Sequence, residues 1–155
     1  MLTQILIGSA LISVIILLQA VFIEAAIMAL RRIGKRLVRS RPFLTMIALT
    51  AGLTFWMLAA LSLAIWIWAL AFMALGTFET LESSLYFSVV SFTTLGFGDV
   101  ILRPEWRLLS GFCAANGLIL FGLNTAFFVN VLGRIRELQE PPDIFDLLTL
   151  GEPKL

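Results

Sequence analysis

Three long apolar stretches, at residues 5–30, 43–78 and 108–132, set the plan of the chain. Each exceeds the ~20 residues that an α-helix needs to cross a hydrocarbon core about 30 Å thick. The second is long for one crossing and too short for two with a turn between them. It predicts a single tilted helix that projects beyond the bilayer at one end. Polar residues interrupt the pattern across residues 80–107. Inside that interval, 81–93 has helical spacing, with Leu85, Val89 and Phe92 on one face and Ser84, Ser88 and Ser91 on another. At ~1.5 Å per residue such a helix is about 20 Å long, too short to cross. Gly96 and Gly98 follow almost at once, then Asp99 and Pro104. A short helix going in and an irregular segment coming out predict a re-entrant loop. Such backbone is tolerated at membrane depth only where protein or a water-filled cavity surrounds it.

Composition reinforces the pattern. The 155 residues are 60% hydrophobic and only 14% charged, with a mean hydropathy of +1.01. A soluble domain of this size cannot hide so much apolar surface, so lipid is the expected solvent for most of it. The net charge of +1 says little; its distribution says more. Arg31, Arg32, Lys35, Arg36, Arg39 and Arg41 crowd the connection between the first two stretches with no acid among them. This connection, residues 31–41, is therefore expected on the cytoplasmic side, with the N-terminus outside and the C-terminus inside. Arg134 and Arg136, after the third stretch, agree with that orientation. Glu79, Glu82, Asp99 and Glu105 outnumber Arg103 and Arg107 on the opposite side. Residues 1–4 carry no basic side chain, and the positive flank of the first stretch lies at the wrong end for a secretory signal. The first helix, 1–30, is expected to stay as an anchor in a plasma or inner membrane. The basic connection also suits anionic lipid headgroups.

Several chemistries are set aside by what the chain lacks. Histidine is absent, which removes the commonest general base and metal ligand. One cysteine, Cys113, allows neither an intrachain disulfide nor a cysteine metal cluster, and its apolar neighbours suit a packing role. No Gly-rich phosphate loop and no large basic face appear, so neither a nucleotide cofactor nor nucleic acid is expected. The tail, 137–155, is too short for a regulatory domain. An enzyme is not expected.

The segment Thr94-Leu95-Gly96-Phe97-Gly98-Asp99 carries the candidate chemistry. A cation leaving water needs its hydration oxygens replaced, and backbone carbonyls do this without burying charge. Aiming successive carbonyls to one side requires backbone angles that alternate with the left-handed region. Gly96 and Gly98 adopt that region at no steric cost. Thr94 offers a hydroxyl below the carbonyls, Phe97 a brace packed away from the ion path, and Asp99 an attraction for cations at the outer mouth. The short helix before them directs the negative end of its dipole at the space below. One such loop cannot surround an ion. With one per chain, a homotetramer about a central axis is expected.

Residues 84–99, Ser-Leu-Tyr-Phe-Ser-Val-Val-Ser-Phe-Thr-Thr-Leu-Gly-Phe-Gly-Asp, resemble the pore helix and selectivity filter of potassium channels. The likeness is to bacterial two-span channels and to the pore loops of two-pore-domain channels. It extends more loosely over residues 44–135. The resemblance implies an all-α membrane protein with three transmembrane helices, a re-entrant pore helix and filter loop, and a homotetrameric pore. An outer helix (43–78), pore helix (81–93), filter (94–99) and inner helix (107–136) would form a pore domain at 42–136. It implies that Thr94, Leu95, Gly96, Phe97 and Gly98 supply the oxygens for K⁺, the permeant ion, with no further cofactor. Many relatives place a carboxylate behind the filter to pair with the aspartate. The matching position here is Val90, so another contact must hold Asp99 if the loop is tethered. Passive, potassium-selective conduction is the function implied. A non-selective cation pore is one alternative, and a channel-like scaffold that no longer conducts is another.

In the third stretch, Gly117 and Gly122 lie near mid-membrane and suit a hinge, whereas Gly111 and Gly133 suit close helix packing. Asn116, Asn124, Thr125 and Asn130 are polar residues in an apolar helix. At 100° per residue, Asn130 points about 40° and Asn124 about 80° from Asn116, one broad face. They either line a wet cavity, the reading preferred for Asn124 and Thr125, or hydrogen-bond between helices. Phe121, Phe127 and Phe128 either form an apolar constriction that gates by dewetting or simply pack. Glu24, an acid inside a span, marks a regulatory candidate, or a structural one that together with Gln19 reaches polar headgroups or pairs with a basic side chain. Trp106 suits the interface belt, and Trp56, Trp66 and Trp68 suit packing.

Overall fold

The computed structural model describes residues 1–37 and 42–137, all helix, turn and loop among those described. The centre of the basic connection, 38–41, and the tail beyond 137 lie outside the described residues. Helix α1 spans Leu2–Leu37 and α2 spans Pro42–Ala74. The short α3 covers Leu81–Phe92, a 3₁₀ turn covers Pro104–Trp106, and α4 covers Arg107–Glu137. Within α1, α2 and α4, the segments Leu2–Arg32, Leu44–Ala74 and Pro104–Arg134 (the last taking in the 3₁₀ turn) are long and apolar enough to cross a membrane. The all-α fold with three such helices is thus as the hydropathy pattern indicates. Exposed Phe55, Leu58, Leu70, Leu118 and Val129 coat them. Such a surface is stable only against lipid or other protein.

The apolar run that reaches Phe78 is not helical to its end. Gly76 takes φ 65°, and Gly76 N donates to Met73 O at 3.0 Å while Thr77 N donates to Phe72 O at 3.2 Å. A left-handed residue just past a helix satisfies its last carbonyls and turns the chain, and glycine does so without penalty. Phe78 then folds back, its ring 6.4 Å from Phe72 and 5.2 Å from Phe87. Next, Thr80 caps α3, its hydroxyl accepting from Ser83 N at 3.2 Å, with Glu82 in the positive first turn.

α3 packs between α2 and α4 through its serines as well as its apolar residues. Ser84 and Ser88 are fully buried. Ser84 Oγ donates to Ala69 O, and Ser88 Oγ donates to Ser84 O at 2.8 Å. Small hydroxyl residues let helices approach closely while returning their polarity to backbone carbonyls. Around them lies the main core, with Trp68, Phe72, Phe87, Phe92, Leu109, Cys113 and Leu120. A second, smaller cluster joins Ala26, Leu53, Met57 and Val131 toward the far end of the helices.

α1 runs alongside α4 in the same direction. Near the start of both, Gln4 Oε1 accepts from Leu108 N at 3.1 Å and satisfies an orphan donor of the α4 N-terminus. One turn on, a Cβ at Gly8 would stand 2.5 Å from the Phe112 ring, so only glycine permits this approach. Ile15 is 1% exposed in the main core, and Ala26 meets the second cluster. α2 crosses in the opposite sense, where Trp56 Nε1 donates to Phe22 O of α1 at 2.9 Å.

Candidate functional site

After α3 the backbone alternates. Thr94 has φ 58°, Gly96 58° and Gly98 77°, while Leu95 and Phe97 between them do not have positive φ. The glycines suit this geometry. Thr94 does not: a β-branched residue in the left-handed region is strained by roughly 1–2 kcal/mol. Three hydrogen bonds hold it there. Thr94 N donates to Ser91 O at 3.0 Å, and Leu95 N and Gly96 N both donate to Val90 O, at 3.0 and 3.2 Å. The last turn of α3 thereby takes up the N–H groups of residues 94–96. Among the described residues, no hydrogen bond ends on a carbonyl oxygen of residues 94–98. The whole segment 93–99 is exposed in the single chain, with Leu95 and Phe97 at 57% and 66%. The carbonyl oxygens of residues 94–98 are thus left without a donor from within the chain among the described residues.

The loop then returns alongside α3, and Asp99 comes back to Tyr86. The Tyr86 hydroxyl donates to Asp99 Oδ2 at 2.6 Å, and Val100 N donates to Asp99 Oδ1 at 3.0 Å. The tether missing at Val90, which is buried, is supplied one helical turn earlier by a phenol. Tyr86's hydrogen bond holds the Asp99 carboxyl below its ordinary range; desolvation opposes this, and the backbone N–H groups of Asp99 and Val100 reinforce it. Reciprocally, Asp99 holds the Tyr86 phenol above its usual value, mainly through the same hydrogen bond.

Below the loop, α4 touches the end of α3 at Gly117. A Cβ built there would lie 1.9 Å from the Phe92 carbonyl oxygen and 2.8 Å from its carbon. Gly117 is therefore a contact point where α4 seats the base of the loop. Gly122 has open space around it, as do Gly111 and Gly133. Phe121 lies nearby, its ring 6.1 Å from Phe92.

The polar residues of α4 diverge. Asn116 is fully buried and accepts from Trp68 Nε1 at 3.0 Å. Asn124 does not reach the open face; it is 5% exposed and accepts from Gln19 Nε2 of α1. Thr125 is exposed, its hydroxyl bonded to Phe121 O at 2.8 Å within the helix. Phe127 and Phe128 pack against the second cluster. Glu24 is exposed on α1, turned away from Gln19 and Ala26, which face the other helices. No group of three or more acidic, cysteine or histidine side chains suited to a metal occurs among the described residues.

Tyr86, Thr94's strained backbone and Gln19 carry weight that the sequence did not assign to them. An aromatic hydroxyl thirteen residues before the acid is the only sequence signal for the tether. A β-branched residue gives none for positive φ.

Residues 43–134 match the family model described as ion channel, which takes in α2, α3, the loop and nearly all of α4, more than half of the chain. No curated protein and no solved structure matches the chain. With three membrane-crossing helices and this match, the chain is a multi-pass membrane protein of the ion channel family, a family of ion conduction across membranes.

Proposed function

We propose that the chain is one subunit of a homotetrameric pore that conducts potassium selectively and passively. The observation that carries this reading is the alternation of positive φ at Thr94, Gly96 and Gly98 with unengaged carbonyls through 94–98. Four such rows around an axis replace the hydration shell of a monovalent cation. In this arrangement K⁺ sits against the oxygens of Thr94, Leu95, Gly96 and Phe97, and Asp99 gathers cations at the mouth. The segment is re-entrant, with α3 as pore helix and the exposed face of α4, including Thr125 and Gly122, toward the cavity. The N-terminus faces outward and the basic connection 31–41 faces the cytoplasm and its anionic lipid. The Tyr86–Asp99 bond favours a held filter over a slack, non-selective one.

Reconstitution in liposomes tests the reading. Potassium flux is expected, with a reversal potential that follows the potassium gradient when sodium replaces potassium on one side. Equal permeability of the two ions would leave a non-selective pore in its place. Absence of flux from intact tetramers would leave a scaffold.

A further inference from the structure

Gln19 and Asn124 meet in the apolar interior, 2% and 5% exposed. One hydrogen bond joins them, from Gln19 Nε2 to Asn124 Oδ1. Gln19 Oε1 and Asn124 Nδ2 are buried without a protein partner. Turning both amides end for end does not change the count, since one acceptor and one donor are still left over. Unpaired amide atoms in such surroundings are costly, so native proteins rarely keep them.

The same two side chains line a cavity of about 10 Å³ at the junction of α1, α2 and α4, walled by Phe22, Trp56 and Phe127. That is room for about one water molecule. The chemistry of the walls agrees. A cation finds no acid among the lining residues and would face the Asn124 donor. An apolar guest would leave both amide atoms unpaired. Water has a donor for one and an acceptor for the other.

We propose that this cavity is a water site. A single water donates to Gln19 Oε1 and accepts from Asn124 Nδ2, closing a ring of three hydrogen bonds between α1 and α4. The ring gives α1, which lies outside the matched family region, a polar hold on α4 two turns beyond Gly117. The site stands whether or not the assembly conducts.

The test uses the full chain, uniformly ¹⁵N-labelled and assembled in lipid bilayers, with water-edited solid-state NMR. Magnetisation is expected to pass from water to the side-chain amides of Gln19 and Asn124 but not to the backbone amides of buried Ile15 and Leu120. Gln19→Met keeps the length of the side chain and removes its polar atoms; the transfer to Asn124 is then expected to be lost. Persistence of that transfer in Gln19→Met, or its absence from the unsubstituted chain, would overturn the site. A structure at water-resolving resolution decides independently of any variant. Density about 2.7–3.2 Å from both orphan atoms supports the proposal. A direct Oε1–Nδ2 bond with no density beside it, or density continuous with an acyl or detergent chain, defeats it.

Discussion

Residues 93–99 are exposed along their length, whereas the amides of Gln19 and Asn124 are shut inside the seam between α1 and α4. Both regions place polar atoms beside apolar helices, and they treat them differently. The loop spends the N–H groups of residues 94–96 on the last turn of α3 and leaves its carbonyls without a donor from the chain. The seam turns side chains toward each other and closes around them. The loop's geometry therefore resides in backbone angles and a few tethers, and in the tetramer proposed a second, third and fourth copy would complete it. The seam's geometry resides in packing within one chain. Substitutions separate the two: backbone changes disturb the loop, and volume changes disturb the helices.

The largest effect is expected at Gly96 and Gly98. Alanine at either must hold φ 58° or 77°, a strain of roughly 1–2 kcal/mol per subunit repeated around the axis. Potassium flux in liposomes is expected to fall to background while the proposed tetramer persists on size exclusion. Next comes Gly117→Ala, whose methyl would overlap the Phe92 carbonyl. Overpacking of this kind costs about 1–3 kcal/mol, and a backbone neighbour places it at the upper end. Thermal unfolding in detergent is expected to shift downward, with Gly122→Ala, which meets open space, close to unchanged. Equal destabilisation by the two would break the distinction between contact glycine and free glycine.

Smaller is the effect of Tyr86→Phe, which removes one hydroxyl from an exposed tether. A partial loss of selectivity for potassium over sodium, read from the reversal potential, is expected without loss of assembly. The tether also has a pH window. Asp99 is held below its ordinary value, so its contribution is present above the usual carboxylate range and is lost as pH falls through the depressed value. Tyr86 is held above its ordinary value, so its contribution is present below the usual phenol range and is lost as pH rises through the raised value. Selectivity measured by reversal potential is expected to stay level between mildly acidic and mildly alkaline pH, and to drop only at the acid extreme on one side and the alkaline extreme on the other. The smallest effect is expected for Glu24→Gln, since Glu24 is exposed and turned away from both regions.

Hydropathy made the three crossing helices legible, because a helix in lipid must be apolar on every side that meets hydrocarbon. Gly96 and Gly98 made the loop legible, because they follow a helix too short to cross and lie between two long apolar stretches. Pairing was harder to read. Gln19 and Asn124 lie 105 positions apart, and a lone amide in an apolar helix announces that it has a partner without saying which. Gly8 gives no more signal than any helical glycine, yet it alone lets α1 close on Phe112. Thr94 runs against its own preference, and only the hydrogen bonds that the loop donates to α3 explain it.

Exposure of the loop in the single chain has a genetic consequence in the four-fold assembly proposed. Every subunit contributes one quarter of each ion site, so no subunit can compensate for another. When a Gly98→Ala chain is co-expressed in equal amount with the unaltered one and the two mix freely, about one tetramer in sixteen escapes the defective copy. The defect would be dominant, although the altered chain itself folds.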